Sequence, residues 1–419
     1  MNIKFRLTVM NFLQYFIWGS WLITIGAYWF QNKHWRGDDF GSIFSTMGVS
    51  AIFMPALMGI VADRWINAER LLGLCHIIGA IILFFIPEVN EPGLFYWVLL
   101  LYMLFYMPTI SLANTVSYSA LMRAERNLVK DFPPIRVWGT VGFIAAMWTV
   151  SLLHIETSAK QFYVAAFASL FLGLYSFTLP KCPPEGKNKT HGSWIDSLGL
   201  RAFSLFKNYK MALFFIFAML LGAALQLTNA YGDTFLHDFA KVDIYKDTIA
   251  VKYPAIIMSI SQFSETLFIL AIPFFLKRFG IKQVMLISMI AWVLRFGLFA
   301  YSNPAEGLWM IVLSCIVYGM AFDFFNVSGS LFVDTQVKPE IRASAQGIFM
   351  MMTNGFGALL GSRLSGMAIA KYFTYSNNEL DWRGIWTAFS IYALIVAVLF
   401  AVFFRHKHVH EEVTAATHV

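Results

Sequence analysis

Residues 311–333 read IVLSCIVYGMAFDFFNVSGSLFV, an apolar run long enough to cross a bilayer, with Asp323 near its middle and Asn326 a turn further on. A spanning helix needs about 20 predominantly apolar residues. A carboxylate at its centre costs roughly 2.5–3.5 kcal/mol on insertion scales. A residue that expensive either bonds a neighbouring helix or faces a polar interior with a functional role. The rest of the chain has to separate the two.

Hydrophobic residues make up 58% of the 419 positions and charged residues 13%, against about 25% charged in a soluble domain. The chain therefore reads as an integral membrane protein. Its many long apolar runs suit a helical bundle, since a barrel would show short alternating strands. The net charge of +7 does not point to nucleic acid, because the basic residues lie between the apolar runs, as topology signals do. Lys4 and Arg6 precede an apolar stretch from Leu7 to Phe30 that is too long for a signal-peptide core and has no small-residue cleavage site. It reads as an uncleaved first helix. Cys75, Cys182 and Cys315 show no metal or redox spacing, and no disulfide is expected. No Gly-rich phosphate loop, metal-ligand cluster or nucleophile motif occurs. An ATPase or other enzyme is not indicated, and no cofactor or metal is expected.

Apolar length places spans near 5–30, 40–62, 70–87, 94–118, 134–154 and 161–180, then near 210–236, 254–276, 281–301, 307–333, 343–372 and 384–404. The polar segment 181–207, with CPPEGKNKTHGS, is the linker candidate. The expected organisation is thus an N-terminal six-helix bundle at 1–180, a linker, a C-terminal six-helix bundle at 208–405 and a tail at 406–419. An internal repeat supports the division. Pro133 and Arg136 match Pro339 and Arg342; Tyr106 and Asn114 match Tyr318 and Asn326; Asp63-Arg64 matches Lys277-Arg278; Gln14 matches Gln226. All lie about half a chain apart and in the same order. Two parallel six-helix repeats, each of inverted three-helix units, describe the major facilitator architecture.

Orientation follows from the basic residues in alternate loops. Twenty Lys and Arg fall on the side that holds both termini and the linker, eight on the other, and Arg136, Arg295 and Arg363 lie inside or beside apolar runs. Both termini are therefore expected in the cytoplasm.

Polar residues inside the spans fall on shared helix faces. Arg136, Thr140 and Phe143 follow one another at spacings of four and three, with Gly139 and Gly142 leaving room for close approach. Gln226 and Asn229 share a face, and so do Gln262 and Glu265. Side-chain amides offer donors and acceptors that suit sugar hydroxyls or base edges, or bonds between helices. Tyr318, Phe322 and Asn326 recur every four residues beside Asp323. Phe143, Tyr318 and Phe322 are candidate stacking surfaces for a planar ligand. Burial disfavours a charged carboxylate in general, the property that proton-coupled transport exploits, so Glu265 and Asp323 are both candidates to carry the proton. Asp233, near the external end of its span, reads as wet. Arg295 and Arg363 either balance the acids or snorkel to an interface, and His76 reads as a structural hydrogen-bonding group.

Four segments, FPPIRVWGTVGF at 132–143, LQLTNAYGDTFLH at 225–237, MSISQFSETLFIL at 258–270 and AFDFFNVSGSLF at 321–332, carry a specific likeness. The chain resembles the nucleoside:proton symporter family of the major facilitator superfamily, from NFLQYFIWGSWL near the start to FFRHKHV near the end. The G-x-x-x-D-R spacing at Gly59, Asp63 and Arg64 indicates only the superfamily. The resemblance implies proton-driven import of nucleosides across a bacterial inner membrane by alternating access. It implies binding roles for Arg136, Thr140, Phe143, Gln226, Asn229, Gln262, Glu265, Tyr318, Phe322 and Asp323. The sequence departs from the family at Ala224, where an acid precedes the LQ pair in the family pattern. A monomer working with a nucleoside, a proton and the lipid bilayer is the expected unit. A sugar or disaccharide symporter on the same fold is the alternative, followed by a membrane sensor on a transporter scaffold.

Overall fold

The computed structural model describes residues 2–184, 200–338, 341–376 and 379–406. Most of the expected linker (185–199), Pro339 of the repeat and the tail from 407 lie outside the described residues. The described chain is helical, with one isolated antiparallel bridge between Thr374 and Leu380. It divides into two compact units, 1–35 with 46–198 and 36–45 with 199–419.

The first unit contains α1 (Ile3–Gly19), most of α2 (Gly37–Arg64), α3 (Ala68–Phe85), α4 (Pro92–Arg123), α5 (Leu128–Leu152) and α6 (Lys160–Ser176). Short turns at Ile25–Ala27 and Tyr28–Asn32 extend α1. Asparagine opens several helices. The Asn2 carboxamide oxygen accepts from the Lys4 N–H at 3.1 Å and that of Asn127 from Lys130 at 3.1 Å, satisfying N–H groups that the helix itself leaves unpaired. In the apolar interior of this unit sits a polar network. The Gln14 amide donates to Thr109 Oγ1 at 2.7 Å, and its oxygen lies 2.8 Å from His76 Nε2. His76 Nδ1 lies 3.2 Å from Ser169 Oγ, and the Tyr106 hydroxyl donates to the Gln14 carbonyl at 2.7 Å. Four helices are tied by these bonds, so His76 is held as the structural group its sequence context suggests.

The second unit contains α7 (Tyr209–Asp238), α8 (Pro254–Tyr301), α9 (Leu308–Gln336), α10 (Arg342–Met350), α11 (Ala358–Tyr372) and α12 (Trp382–Phe403). Continuous helix of 48 residues would run about 72 Å, more than twice a bilayer core. It is broken at Gly280, whose φ of 76° and ψ of 170° no helix contains. Only glycine enters that region readily. The break falls between the two spans expected at 254–276 and 281–301. Between α10 and α11, residues Met351–Gly357 form π-helical turns, a feature frequent at functional sites.

Eight described helices are long and apolar enough to cross a membrane, α8 being one of them despite its break. The expectation of twelve spans is not reached by that measure. The shortfall has identifiable sources: α1 and α6 have 17 residues each, and the π turns divide 342–372 into shorter pieces. Many large apolar side chains, among them Phe85, Trp97, Phe167 and Leu270, are more than 60% exposed. On this scale such surface belongs against lipid.

Candidate functional site

In the first unit, Arg136, Thr140 and Phe143 are all partly exposed on α5. The Arg136 guanidinium lies over the Tyr15 ring, 4.1 Å from its centroid. Gly139 makes this possible. A Cβ there would fall 2.6 Å from Tyr15 Cδ2 and 2.8 Å from Arg136 Nη1. Phe143 meets Trp18 edge-on with ring centroids 6.4 Å apart, and Trp18 lies 5.7 Å from Tyr106. Tyr15 and Trp18 therefore frame the predicted Arg136–Phe143 face, and sequence reasoning passed over both. The available signal was Gln14, whose i+1 and i+4 neighbours they are.

In the second unit, aromatic rings form a chain. Trp292 meets Tyr318 edge-on at 5.9 Å, and Tyr318 lies parallel to Phe322 at 5.9 Å with 5° between planes. Asp323 is 4% exposed, and its Oδ2 is buried without a hydrogen-bond partner among the described residues. Glu265 on α8 is near enough to act electrostatically on Asp323, and both act on the Tyr318 hydroxyl. The two candidate proton carriers thus share one environment. Gln226 on α7 and Gln262 on α8 each bury an amide oxygen that has no partner among the described residues. Asn229 on α7 is partly exposed. A buried polar atom without a partner costs about 1–3 kcal/mol, and these three lie on three different helices of the second unit.

Arg295 does not snorkel. It is fully buried, its Nη1 donates to the Ser314 carbonyl at 2.8 Å and to Ser261 Oγ at 3.4 Å, and its Nε donates to Thr228 Oγ1 at 3.3 Å. Its guanidinium stacks on Tyr318 at 4.5 Å and Phe299 at 5.2 Å. A desolvated cation–π contact contributes about 2 kcal/mol, and a lysine cannot reproduce the planar fork. Arg295→Lys is expected to lower the thermal midpoint of the detergent-solubilised protein and to raise KM through the loosened Tyr318. An unchanged midpoint and KM would remove Arg295 from this account. Arg363, by contrast, is exposed. Asp233 is also not where its sequence position suggests: it is 0% exposed, and its Oδ2 lies 3.4 Å from His237 Nε2. His237 is one turn on, on the same face, and supplies a polar neighbour that makes burial tolerable.

The family model described as "Nucleoside H+ symporter" matches residues 1–409. The chain belongs to the nucleoside H+ symporter family. It is 54% identical over 421 residues to the xanthosine permease of Escherichia coli K12, covering 100% of both chains. To the nucleoside permease NupG of the same strain it is 52% identical over 410 residues, covering 98% of this chain and 97% of that one. A crystal structure of the nucleoside transporter NupG superimposes with a TM-score of 0.91 at 51% identity, covering 97% of this chain and all of that one. The protein is accordingly an all-helical, multi-pass membrane transporter with the major facilitator fold, and not an enzyme.

Proposed function

We propose that the protein imports nucleosides across a bacterial inner membrane together with protons, by alternating access of two six-helix halves. The observation that carries this reading is the buried Asp323 carboxylate beside Glu265 and the stacked Tyr318 and Phe322, in a chain of the nucleoside H+ symporter family. In this reading Arg136, Thr140, Gln226, Asn229, Gln262 and Glu265 hydrogen-bond the nucleoside, and Phe143, Tyr318 and Phe322 stack on base or ribose. Asp323 and Glu265 are the proton-coupling pair. The chain spans the membrane twelve times, as 1–180 and 208–405 joined by a cytoplasmic linker at 181–207, with both termini cytoplasmic. It works as a monomer. The test is uptake of a purine and pyrimidine nucleoside panel into proteoliposomes under an imposed pH gradient, acid outside. At least one nucleoside is expected to accumulate above equilibrium, and a protonophore is expected to abolish the accumulation. Accumulation that persists with the protonophore, or binding with no accumulation, would overturn the proposal.

A further inference from the structure

Tyr15 sits on the face of α1 that meets α5. Phe12, Tyr15 and Gly19 follow one another at spacings of three and four, so they share one side of the helix. Glycine brings the two backbones together on either side of Tyr15. A Cβ at Gly142 would fall 3.0 Å from the Phe12 Cα, and one at Gly19 would fall 3.0 Å from the Phe143 Cα. Between these two crossings the groove over Gly139 takes in both the Tyr15 ring and the Arg136 guanidinium, 2.6 and 2.8 Å from where a Cβ would stand.

The turn that carries Tyr15 is itself held. Gln14 beside it bonds Thr109 and His76 through its side chain, and its carbonyl accepts the Tyr106 hydroxyl. The ring is therefore a fixed platform, and the Arg136 guanidinium lies over it at 4.1 Å from the centroid. Among the described residues that guanidinium makes no hydrogen bond and no ion pair, so the ring contact is what sets its orientation. An arginine stacked on an aromatic face keeps the N–H edge of its planar fork open to a ligand. Its rotamer freedom is lost on folding and not on binding, which lowers the cost of ordering it around a substrate.

We propose that Tyr15 is a positioning residue, whose ring holds the Arg136 guanidinium in the orientation that meets the nucleoside. The inference rests on the binding role given to Arg136 above and extends the site to a residue of α1 outside the predicted set. The aromatic face carries the effect and the hydroxyl does not, because a cation is attracted by the ring quadrupole. Phenylalanine can therefore stand in for Tyr15, whereas an aliphatic side chain of similar reach cannot. The stack is complete before substrate arrives, so its loss falls on binding and leaves turnover in place.

The test uses full-length protein in proteoliposomes, with whichever of adenosine, guanosine, inosine, xanthosine, uridine and cytidine the wild type takes up fastest. Tyr15→Phe is expected to keep KM within about twofold of wild type. Tyr15→Leu is expected to raise KM about three- to tenfold with the maximal rate within about twofold. Arg136→Gln raises KM by itself, and in that background Tyr15→Leu should change KM by less than about twofold, since both act through one contact. Where a variant transports too slowly for a KM, calorimetric binding of the same nucleoside in detergent supplies a Kd. Thermal midpoints report folding, and Tyr15→Met replaces Tyr15→Leu if the latter is not monodisperse. Equal losses for Phe and Leu, no loss for Leu, a loss confined to the maximal rate, or a Leu effect undiminished in the Arg136→Gln background would overturn the positioning role. Wild-type affinity in Arg136→Gln would overturn it together with the binding role of Arg136. If the wild type takes up none of the panel, the nucleoside reading itself has failed, a result seen before any variant is made.

Discussion

Asp323→Asn is expected to abolish proton-driven accumulation while leaving nucleoside binding and counterflow in place. Asparagine keeps the size and planarity of the buried carboxyl and removes only its ability to gain and lose a proton. In the structure Asp323 is 4% exposed, and no hydrogen bond among the described residues fixes its Oδ2. The side chain therefore has no structural bond at that oxygen for asparagine to break, and an isolated buried charge there is costly. Glu265 shares the environment, so the paired variant Glu265→Gln separates their roles. If Asp323 alone carries the proton, Glu265→Gln raises KM and still accumulates substrate, whereas Asp323→Asn only equilibrates it. Loss of coupling is read as an accumulation ratio that falls to about one, because no free energy from the pH gradient then reaches the substrate. An Asn variant that still concentrates a nucleoside severalfold would remove Asp323 from the coupling step.

How far such a site can be read from sequence depends on which physical signal each residue leaves. Apolar length marks helices well, because a bilayer demands some twenty residues at a time. The break at Gly280 was visible as the basic gap KRFGI between two apolar runs. Spacing of three and four placed Arg136, Thr140 and Phe143 on one face, because helix geometry alone determines it. Partners on other helices leave no such trace. Tyr15 beneath Arg136 and Trp18 beside Phe143 come from α1, and nothing in the α5 sequence names them. Arg295 lies in the part of α8 after Gly280, an apolar stretch on all sides around it, where the hydrophobic period cannot say which side is inward. Asp233 was misread as wet because position along a span reports depth, whereas burial depends on neighbours such as His237. The π turns at Met351–Gly357 shift every later side chain around the axis, and no residue type announces them.

Those π turns also set the second large effect. Gly222 on α7 packs against the backbone of Thr353, and a Cβ at Gly222 would collide with the Thr353 carbonyl oxygen, with the Thr353 Cα only 2.9 Å away. The obstruction is backbone within a helical turn, so no rotamer change relieves it and the two helices must separate. Small residues at such crossings let membrane helices approach and gain packing energy that no hydrophobic effect between helices supplies. Overpacking of a core costs about 1–3 kcal/mol where side chains can shift, and a rigid backbone contact lies at or above the upper end. Gly222→Ala is therefore expected to reduce monodisperse protein after detergent extraction severalfold and to lower the thermal midpoint of what remains. Gly347 provides the control, because a Cβ there meets nothing within 4 Å. Gly347→Ala, in α10, should be neutral or stabilising by up to about 1 kcal/mol, the helix-propensity difference between the two residues. The contrast separates contact from propensity. Were Gly222→Ala as stable as wild type, the α7 crossing could not be as close as the Thr353 contact makes it, and the π turns would lose their role in setting it.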